Sequence, residues 1–251
     1  MSEPLDLLAI APHPDDAELG CAGSLMLAAE QGLRVAVADL TDGERSSRGT
    51  VAERNQAKQK AGELMGLCER FTLRLPDTEI GSDPAHRLPL IQLLRETRPR
   101  IVLAPYLHDR HPDHAAACKL VQDACFFAGV GKVGEGRPHR PERLYYYMLH
   151  YLTQPFTPSF VIDISPFWER KLAVLAAYGG QFQAGGDEVK TAISRPEFLR
   201  FLEVKAAWCG AMIGVMFGEG FFTPGPVPLD AFPGIAAPRP LPGEPPFFRM
   251  Y

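Results

Sequence analysis

Short apolar runs and longer amphipathic patterns alternate along the first half of the chain. The apolar runs have the length of buried strands and predict β-structure at residues 5–11, 34–40, 71–75 and 101–104. Helical spacing of apolar positions follows them at residues 19–31, 51–67, 84–97 and 113–127. This order predicts an α/β fold, with a doubly wound, mostly parallel, Rossmann-like sheet that carries helices on both faces.

The second half is expected to complete the same domain. Further strands are predicted at 144–149 and 160–164, and further helices at 166–178 and 195–215. Residues 129–141 are interpreted as a glycine-rich surface loop. From residue 218 onward the chain holds nine of its 24 prolines, so we expect a proline-rich tail without regular helix or central strand. No linker divides the sequence, and a single domain over 1–251 is expected.

Composition places the chain among ordinary globular proteins. It has 251 residues, 46% of them hydrophobic and 22% charged, with a net charge of −4. The absence of long basic runs argues against nucleic-acid binding. No apolar stretch has the roughly 18–20 residues that cross a membrane. The N-terminus lacks a secretory signal, and the five cysteines form no Cys-x-x-Cys pair, so a cytoplasmic protein with reduced thiols is expected.

Metal-ligating side chains cluster at the ends of two predicted strands. His13, Asp15, Asp16 and Glu18 follow the first strand, and the segment 108–114 (HDRHPDH) follows the fourth. Ligands of open α/β sheets bind at the carboxyl ends of strands. Carboxylates at such an edge attract a cation and repel phosphate, whereas a nucleotide site would place glycines there. Two such clusters predict a metallohydrolase.

The spacing of these residues suggests a catalytic zinc site. Such sites use three protein ligands and keep one position open. His13 and Asp16 are spaced i, i+3 and can face one point, and His111 and His114 have the same spacing. Spacing alone does not choose between the two later histidines as the third ligand.

The neighbouring groups predict acid–base chemistry. Asp15 adjoins Asp16 and points elsewhere, which makes it the candidate general base. The histidine that does not bind metal, if protonated, would stabilise the oxyanion, and Asp113 would hold its proton in place. The simpler interpretation is a solvated loop with aspartates that cap helices. Two clusters at one sheet edge weigh against it.

The motifs PHPDDAELGCAGSL and DRHPDHAAA resemble the PIG-L/LmbE family of zinc-dependent N-acetylglucosaminide deacetylases. The segments TDGERSSRGT, ERNQAKQKAGELMG, LRLPD, YGGQF and FLEVKAAWCGAMIGVMFGEGFF extend the resemblance to about residue 222. Together they are similar to the bacillithiol-biosynthesis branch, which deacetylates N-acetylglucosaminyl malate.

The resemblance implies a role for each residue of the two clusters. It implies zinc ligation by His13, Asp16 and His114, with Asp15 as the general base. His111 would then stabilise the oxyanion. The cofactor would be one Zn²⁺ per chain, with another divalent ion such as Fe²⁺ as the alternative.

Substrate contacts are expected from residues near the same edge. The resemblance matches Arg54 to a family arginine that contacts substrate, and Arg110 lies beside the second cluster. Asp77, after the third strand, is a further candidate. Arg48 lies on a polar loop that could bind a carboxylate. Residues 217–222, which include Glu219, are expected to cover the pocket or to form a subunit contact.

The expected function is therefore hydrolysis of the acetamido group of a glucosaminide, most simply N-acetylglucosaminyl malate. The alternatives are an amidase of bacillithiol S-conjugates and a deacetylase of another amino sugar. From another class, a non-catalytic sugar- or nucleotide-binding α/β module remains. The family resemblance also implies a homo-oligomer, in many members a hexamer.

Overall fold

One seven-stranded sheet organises the protein. The computed structural model describes residues 3–149, 152–155, 157–182, 191 and 193–227. Within them the strand order is β3-β2-β1-β4-β5-β7-β6. Strands β1 to β5 run parallel to one another, and β7 is antiparallel to both of its neighbours, β5 and β6. The predicted doubly wound, mostly parallel α/β fold is confirmed.

The strands are short and the helices span three to five turns in most cases. The strands are β1 Leu7–Ala11, β2 Val35–Asp39, β3 Glu69–Thr72, β4 Ile101–Pro105, β5 Arg143–Tyr147, β6 Phe160–Asp163 and β7 Gly218–Phe222. The helices are α1 Asp16–Glu30, α2 Val51–Met65, α3 Pro84–Thr97, α4 Pro112–Ala128, α5 Trp168–Ala176, α6 Gly179–Phe182 and α7 Glu197–Ala211. A 3₁₀ turn, Ser165–Phe167, precedes α5. Within the described part of the chain, no helix is long and apolar enough to cross a membrane.

The two faces of the sheet bury two separate cores. Side chains of a strand alternate between faces, so Ala9 of β1 packs with α1, α2 and α5, whereas Leu8 and Ile10 pack with α3 and α4. Both sides of β1 are therefore apolar. This explains why the sequence shows a continuous hydrophobic run there instead of strict alternation.

The winding of the chain creates a crevice beside β1. From β1 the chain moves to β2 and β3 on one side, and it then returns to place β4 on the other side of β1. The carboxyl ends of β1 and β4 thus lie next to each other where the winding changes direction. Ligands bind at such switch points in open α/β sheets. Both ligand clusters of the sequence follow these two strands.

Two helix starts near this crevice have well-defined caps. Thr50 and Glu53 form a reciprocal capping box at the start of α2. At the start of α4, the His111 side chain accepts a hydrogen bond from the Asp113 N–H, and Pro112 occupies the first helical position. The cap at α4 fixes the His111 ring relative to the helix that carries His114.

Strand β7 corrects the expectation for the tail. Gly218–Phe222 pairs with β5 on one side and β6 on the other, so it is an interior strand, although a tail without central strand was expected from residue 218. The reason is that the first proline of the segment is Pro224, after the strand has ended. Residues 228–251, which hold most of the remaining tail, lie outside the described residues.

The glycine-rich segment 129–141 is fastened to the domain. The buried guanidinium of Arg95 donates to the carbonyl oxygens of Ala128, Val130 and Glu135 at 3.0, 2.8 and 2.7 Å. The carbonyl oxygens of Ala128 and Val130 also accept the backbone N–H groups of His139 and Val133, so Arg95 adds to the hydrogen bonds that order this segment. One side chain therefore ties the loop to α3.

Candidate metal centre

The two ligand clusters meet at one cavity of about 400 Å³. Histidines, aspartates and three arginines are among the residues that line it. The lining residues are His13, Asp15, Asp16, Leu19, Gly43, Arg45, Ser46, Ser47, Arg54, Asp77, Thr78, Arg110, His111, His114, Thr191 and Ile193. Of the residues predicted for the site, Asp113, Arg48 and Glu219 do not line this cavity, whereas the other predicted residues do.

Asp16 lies between the two candidate histidine ligands. Its Oδ2 is 3.1 Å from His13 Nδ1, and its Oδ1 is 3.3 Å from His114 Nε2. One ligand atom from each of these residues lies within 4.8 Å of the others. Three groups that can coordinate a metal therefore face one point in the wall of the cavity.

The other ring nitrogens of both histidines face carboxylates. His13 Nε2 lies 3.1 Å from Asp113 Oδ2 and 3.2 Å from Asp77 Oδ1. His114 Nδ1 lies 3.1 Å from Asp109 Oδ1. Histidines that bind metals usually have such a carboxylate on their second nitrogen, because it fixes the tautomer and the ring orientation. The donor set and its supports fit a divalent cation.

A second set of three residues also brings its ligand atoms close together but is less suited to a metal. His13, His111 and Asp113 also have nitrogen or oxygen atoms within 4.8 Å of one another. However, Asp113 Oδ2 already accepts a hydrogen bond from the Thr78 N–H, at 3.0 Å. His111 Nδ1 likewise accepts from the Asp113 N–H, at 3.2 Å. These hydrogen bonds are our reason for keeping His114 as the expected third ligand, a choice that spacing alone left open.

The charges of this cluster indicate that a bound cation would replace protons on the two histidine rings. Burial alone would lower the pKa of His13, but its hydrogen bonds with Asp113, Asp16 and Asp77 hold that pKa well above its usual range. Burial opposes protonation of His114 as well, yet Asp16 and Asp109 raise its pKa to about 9. Without metal, protons on both rings balance the carboxylates, and a divalent ion can take their place.

Asp15 has an unusual backbone and an unusual charge environment. It precedes α1 with φ 126° and ψ −20°, a backbone conformation that residues other than glycine rarely adopt. Its carboxyl group is buried in the cavity wall. Burial and the neighbouring charge of Asp16 raise the pKa of Asp15 to about 8, although Arg54 and His13 act in the opposite direction. A buried carboxyl group with a raised pKa is suited to proton transfer near neutral pH.

His111 lies exposed at the cavity and presents Nε2 to it. Since Nδ1 accepts the Asp113 N–H, the neutral ring carries its proton on Nε2. Burial and the charges of His114 and His13 lower the pKa of His111. The Asp113 carboxylate lies against His13 and not against His111, which differs from the expected role of Asp113. The helix cap causes this difference, because it turns the backbone of Asp113 toward His111.

Arg54 enters the cavity wall from the first turns of α2. It is buried, and its guanidinium donates to Ser46 Oγ and, at 3.5 Å, to the Pro14 carbonyl oxygen. A Cβ atom at Gly43 would lie 2.7 Å from Arg54 Nη1, so glycine makes room for the guanidinium there. Arg110 lies exposed on the opposite cluster, and Arg48 is buried in its loop.

Asp77 supports the candidate ligand while it lines the cavity. Its Oδ2 accepts from the Arg45 N–H at 2.9 Å, and its Oδ1 faces His13. The sequence offered it as a substrate contact, and the structure assigns much of its hydrogen-bonding capacity to the protein itself. The supporting role of Asp109 was not foreseen, although its position two residues before His111 was a signal.

Several cavity residues were missed by sequence reasoning. Arg45 lies in the polar loop after β2, and Thr78 directly follows Asp77, so proximity to strand ends could have indicated both. Leu19, Thr191 and Ile193 carry no chemical signal, and their part in the wall depends on the tertiary structure.

Comparison with known proteins identifies related sequences and structures. The family model PIG-L: GlcNAc-PI de-N-acetylase matches residues 8–125, a segment that includes both ligand clusters. A conserved protein from Thermus thermophilus of known structure is 40% identical, with a TM-score of 0.82, over 91% of this chain and 98% of its own.

Two further relatives have named activities. Diacetylchitobiose deacetylase of Thermococcus kodakarensis is 28% identical over 236 residues, 87% of this chain and 83% of the relative. The 4-oxalmesaconate hydratase of Pseudomonas putida is 26% identical over 199 residues, 69% of this chain and 73% of the relative. The PIG-L family model thus matches the segment that holds both ligand clusters, and the Thermus protein aligns over almost its whole length. The similarity to that model and to the diacetylchitobiose deacetylase indicates a hydrolytic N-deacetylase.

Proposed function

We propose that this protein removes the acetyl group from an N-acetylglucosaminide, with N-acetylglucosaminyl malate of bacillithiol biosynthesis as the first candidate substrate. The observation that carries the proposal is one cavity that joins three candidate metal ligands, a buried carboxyl group with a raised pKa and several arginines. The relative that deacetylates diacetylchitobiose supports an acetylated amino sugar as the substrate.

His13, Asp16 and His114 would hold the metal, for which Zn²⁺ is our first choice and Fe²⁺ the alternative. Two imidazoles and one carboxylate are the ligands of many catalytic zinc sites, which keep a position open for water or substrate. When bound, the ion would supply a Lewis acid that polarises the amide carbonyl and makes water more acidic.

Asp15 and His111 would carry the proton transfers and the charge. The Asp15 carboxylate takes a proton from the attacking water, and the protonated Asp15 then gives it to the leaving amine. The Nε2–H of His111 donates a hydrogen bond to the oxygen that becomes negative. In this scheme His111 acts as a neutral donor, because Asp113 occupies its Nδ1 and its pKa is lowered.

The arginines would select an anionic aglycone. A cavity of about 400 Å³ is large enough for an amino sugar with a small substituent. Arg45, Arg54 and Arg110 all line it. A guanidinium can bind a carboxylate through two parallel hydrogen bonds. Arg45 already pairs with Glu79, at 2.6 Å between Nη1 and Oε1, so Arg54 and Arg110 are the candidates for this contact. The two carboxylates of malate match this wall better than an uncharged substituent does.

Acetate release from a panel of substrates tests the proposal. Zinc-loaded protein is given N-acetylglucosaminyl malate, N-acetylglucosamine and diacetylchitobiose, and Asp15→Asn serves as the control for contaminating activity. We expect the malate conjugate to be the best substrate. A preference for another sugar would leave the deacetylase but replace its substrate.

The same panel separates the other interpretations. Amine release from a bacillithiol S-conjugate without acetate release would favour the amidase. Hydration of 4-oxalmesaconate would favour the chemistry of the Pseudomonas relative. Binding of a sugar without any turnover would favour the non-catalytic module. The cytoplasmic location and the homo-oligomer, including a hexamer, stay predictions, and light scattering of the purified protein tests the oligomer.

A further inference from the structure

Helix α1, which begins at the candidate metal centre, is broken after its first turn. Cys21 has φ −147° and ψ 16°, which are not helical angles, and its side chain is fully buried. The break separates a short turn with Asp16 and Leu19 from the longer remainder of the helix. A break of this kind leaves carbonyl groups before it and N–H groups after it without their usual partners.

A glutamate on β7 binds the N–H groups after the break. Glu219 accepts hydrogen bonds from the Gly23 N–H at 2.9 Å and from the Ser24 N–H at 2.7 Å. It also accepts from Ser24 Oγ at 2.6 Å. A carboxylate at the start of a helical segment satisfies its free donors and interacts favourably with the helix dipole. Glu219 therefore caps the second segment of α1 from a different strand.

A lysine on α5 binds both sides of the same break. Lys171 Nζ donates to the Leu19 carbonyl oxygen at 3.1 Å and to Glu219 Oε1 at 2.6 Å. The side chains of Lys171 and Glu219 are each 4% exposed. One buried ion pair thus satisfies the carbonyl before the break and the N–H groups after it. Its two members come from elements that lie far from α1 in sequence.

The turn before the break is also packed without free space. A Cβ atom at Gly20 would lie 2.3 Å from Cδ2 of Tyr147, whose hydroxyl donates to the Ile10 carbonyl oxygen at 2.9 Å. The side chain of Leu19 lines the cavity, and its carbonyl is the one that Lys171 holds. The position of this turn is therefore fixed by Tyr147 on one side and by the ion pair at its end.

We infer that Glu219 and Lys171 are positioning residues of the candidate metal centre, which they serve by holding the broken α1 in the geometry that presents Asp15 and Asp16 to the cavity. The inference rests on the proposed metal-dependent function. It gives Glu219 a role different from the pocket cover or subunit contact that the sequence suggested. Neither residue touches the metal or the substrate in this account.

Metal binding provides a test that does not depend on the substrate. The variant Glu219→Gln keeps the shape of the side chain but leaves one oxygen for several donors and places an amide N–H₂ against them. We expect its Co²⁺ affinity to fall about tenfold or more, the lower end of the effect of removing an outer partner of a metal site. The visible absorption bands of bound Co²⁺ should shift as well, since they report the ligand geometry.

A matched variant controls for general destabilisation. Arg95→Met removes another buried charge with several hydrogen bonds, but one that fastens the loop 129–141 and not α1. We expect it to lower the melting temperature and to leave the Co²⁺ affinity and spectrum as in the parent protein. Equal losses in Arg95→Met and Glu219→Gln would contradict the inference.

Further variants keep the test decisive if Glu219→Gln does not fold. The double variant Glu219→Gln/Lys171→Met removes both charges of the pair and should fold better than the single one, which leaves Lys171 without its carboxylate. Ser24→Ala removes only one hydrogen bond of the carboxylate. If neither Glu219→Gln nor the double variant folds, Ser24→Ala is the test. We then expect a smaller shift of the Co²⁺ absorption bands, and no shift would contradict the inference.

The outcomes distinguish this inference from the proposed function. A parent protein that binds no Co²⁺ would contradict the metal centre itself. The other outcome is that the parent protein binds Co²⁺ and that a folded variant of Glu219 or Lys171 has unchanged affinity and spectrum. The proposed function would then remain supported. That result would overturn the positioning role of Glu219 and Lys171.

Discussion

At the residue scale, Asp15 and His114 separate catalysis from metal binding. We expect Asp15→Asn to keep the metal and to lose about 10²–10⁴ in turnover, because a general base contributes roughly that much. His114→Ala should instead lose the metal, since its ring faces Asp16 and is supported by Asp109. Metal analysis and acetate release on both variants check this pair. Near-normal turnover of Asp15→Asn would remove Asp15 from the mechanism.

Substrate selection is a second residue-scale property, and Arg54 is its best probe. Charge-assisted hydrogen bonds contribute about 1.5–3 kcal/mol each, so losing one should cost about 10–100-fold in kcat/KM on an anionic substrate. Arg54 also lowers the pKa of Asp15, so turnover of every substrate should fall in Arg54→Ala. The informative quantity is the ratio of kcat/KM for the malate conjugate to that for N-acetylglucosamine.

The matched variant for this ratio is Arg54→Lys, which keeps the charge but loses the planar fork. We expect the ratio to fall in Arg54→Ala and to be partly retained in Arg54→Lys. A parent enzyme with equal kcat/KM on both substrates would rule out recognition of the malate carboxylates.

Individual site residues were predictable only where metal-ligating residue types directly follow a predicted strand. His13, Asp16 and His114 stand out in the sequence because ligand types follow apolar runs, and the structure places them together. The support of His13 by Asp77 could not be predicted, because Asp77 approaches His13 from a loop that is remote in sequence. Spacing also could not show that the Asp113 backbone, and not its carboxylate, binds His111.

At the scale of elements, the close packing of α1 on β5 gives a stability prediction. A methyl group at Gly20 would overlap the fully buried ring of Tyr147, so Gly20→Ala should cost about 1–3 kcal/mol of unfolding free energy. Gly179→Ala is the control, because nothing lies within 4 Å of a Cβ atom there. Thermal unfolding of both variants checks the difference. Equal melting temperatures would mean that the ring moves aside without cost.

Strands with apolar side chains on both faces were predictable from the sequence. Strands that carry charged side chains inside the protein were less predictable. Strand β3 begins at Glu69, before the apolar run at 71–75, and its Arg70 binds Asp39 of β2 at 2.9 and 2.8 Å. Strand β7 contains Gly218 and Glu219, which count against a central strand. The carboxylate is acceptable there only because donors from α1 and α5 bind it, and local sequence does not reveal those partners.

At the scale of the whole molecule, the metal-free protein should lose stability as the pH rises. The folded state raises the pKa of His114 to about 9 and that of Asp15 to about 8, and it also raises the pKa of His13. Groups with raised pKa values in the folded state bind protons more tightly than in the unfolded chain. Their contribution is therefore present at low pH and is lost as the pH rises through about 8 to 9.

Thermal unfolding between pH 6 and pH 9, with and without a chelator, measures this effect. We expect the melting temperature of the metal-free protein to fall over that range. The metal-loaded protein should change less, because the cation replaces the protons on the histidines. An identical pH dependence of both forms would argue against His13 and His114 as the groups that exchange protons for metal.

The backbone conformation of Asp15 implies a conflict between thermal stability and catalytic activity. At φ 126° any side chain is strained, and such strain costs of order 1–3 kcal/mol. Asp15→Gly would relieve it and would also remove a buried carboxyl group beside Asp16. We expect this variant to melt several degrees higher than the parent protein, at about 2–4 °C per kcal/mol, and to be inactive. A selection for heat resistance alone would therefore favour glycine at position 15, and an aspartate there is retained only under selection for turnover.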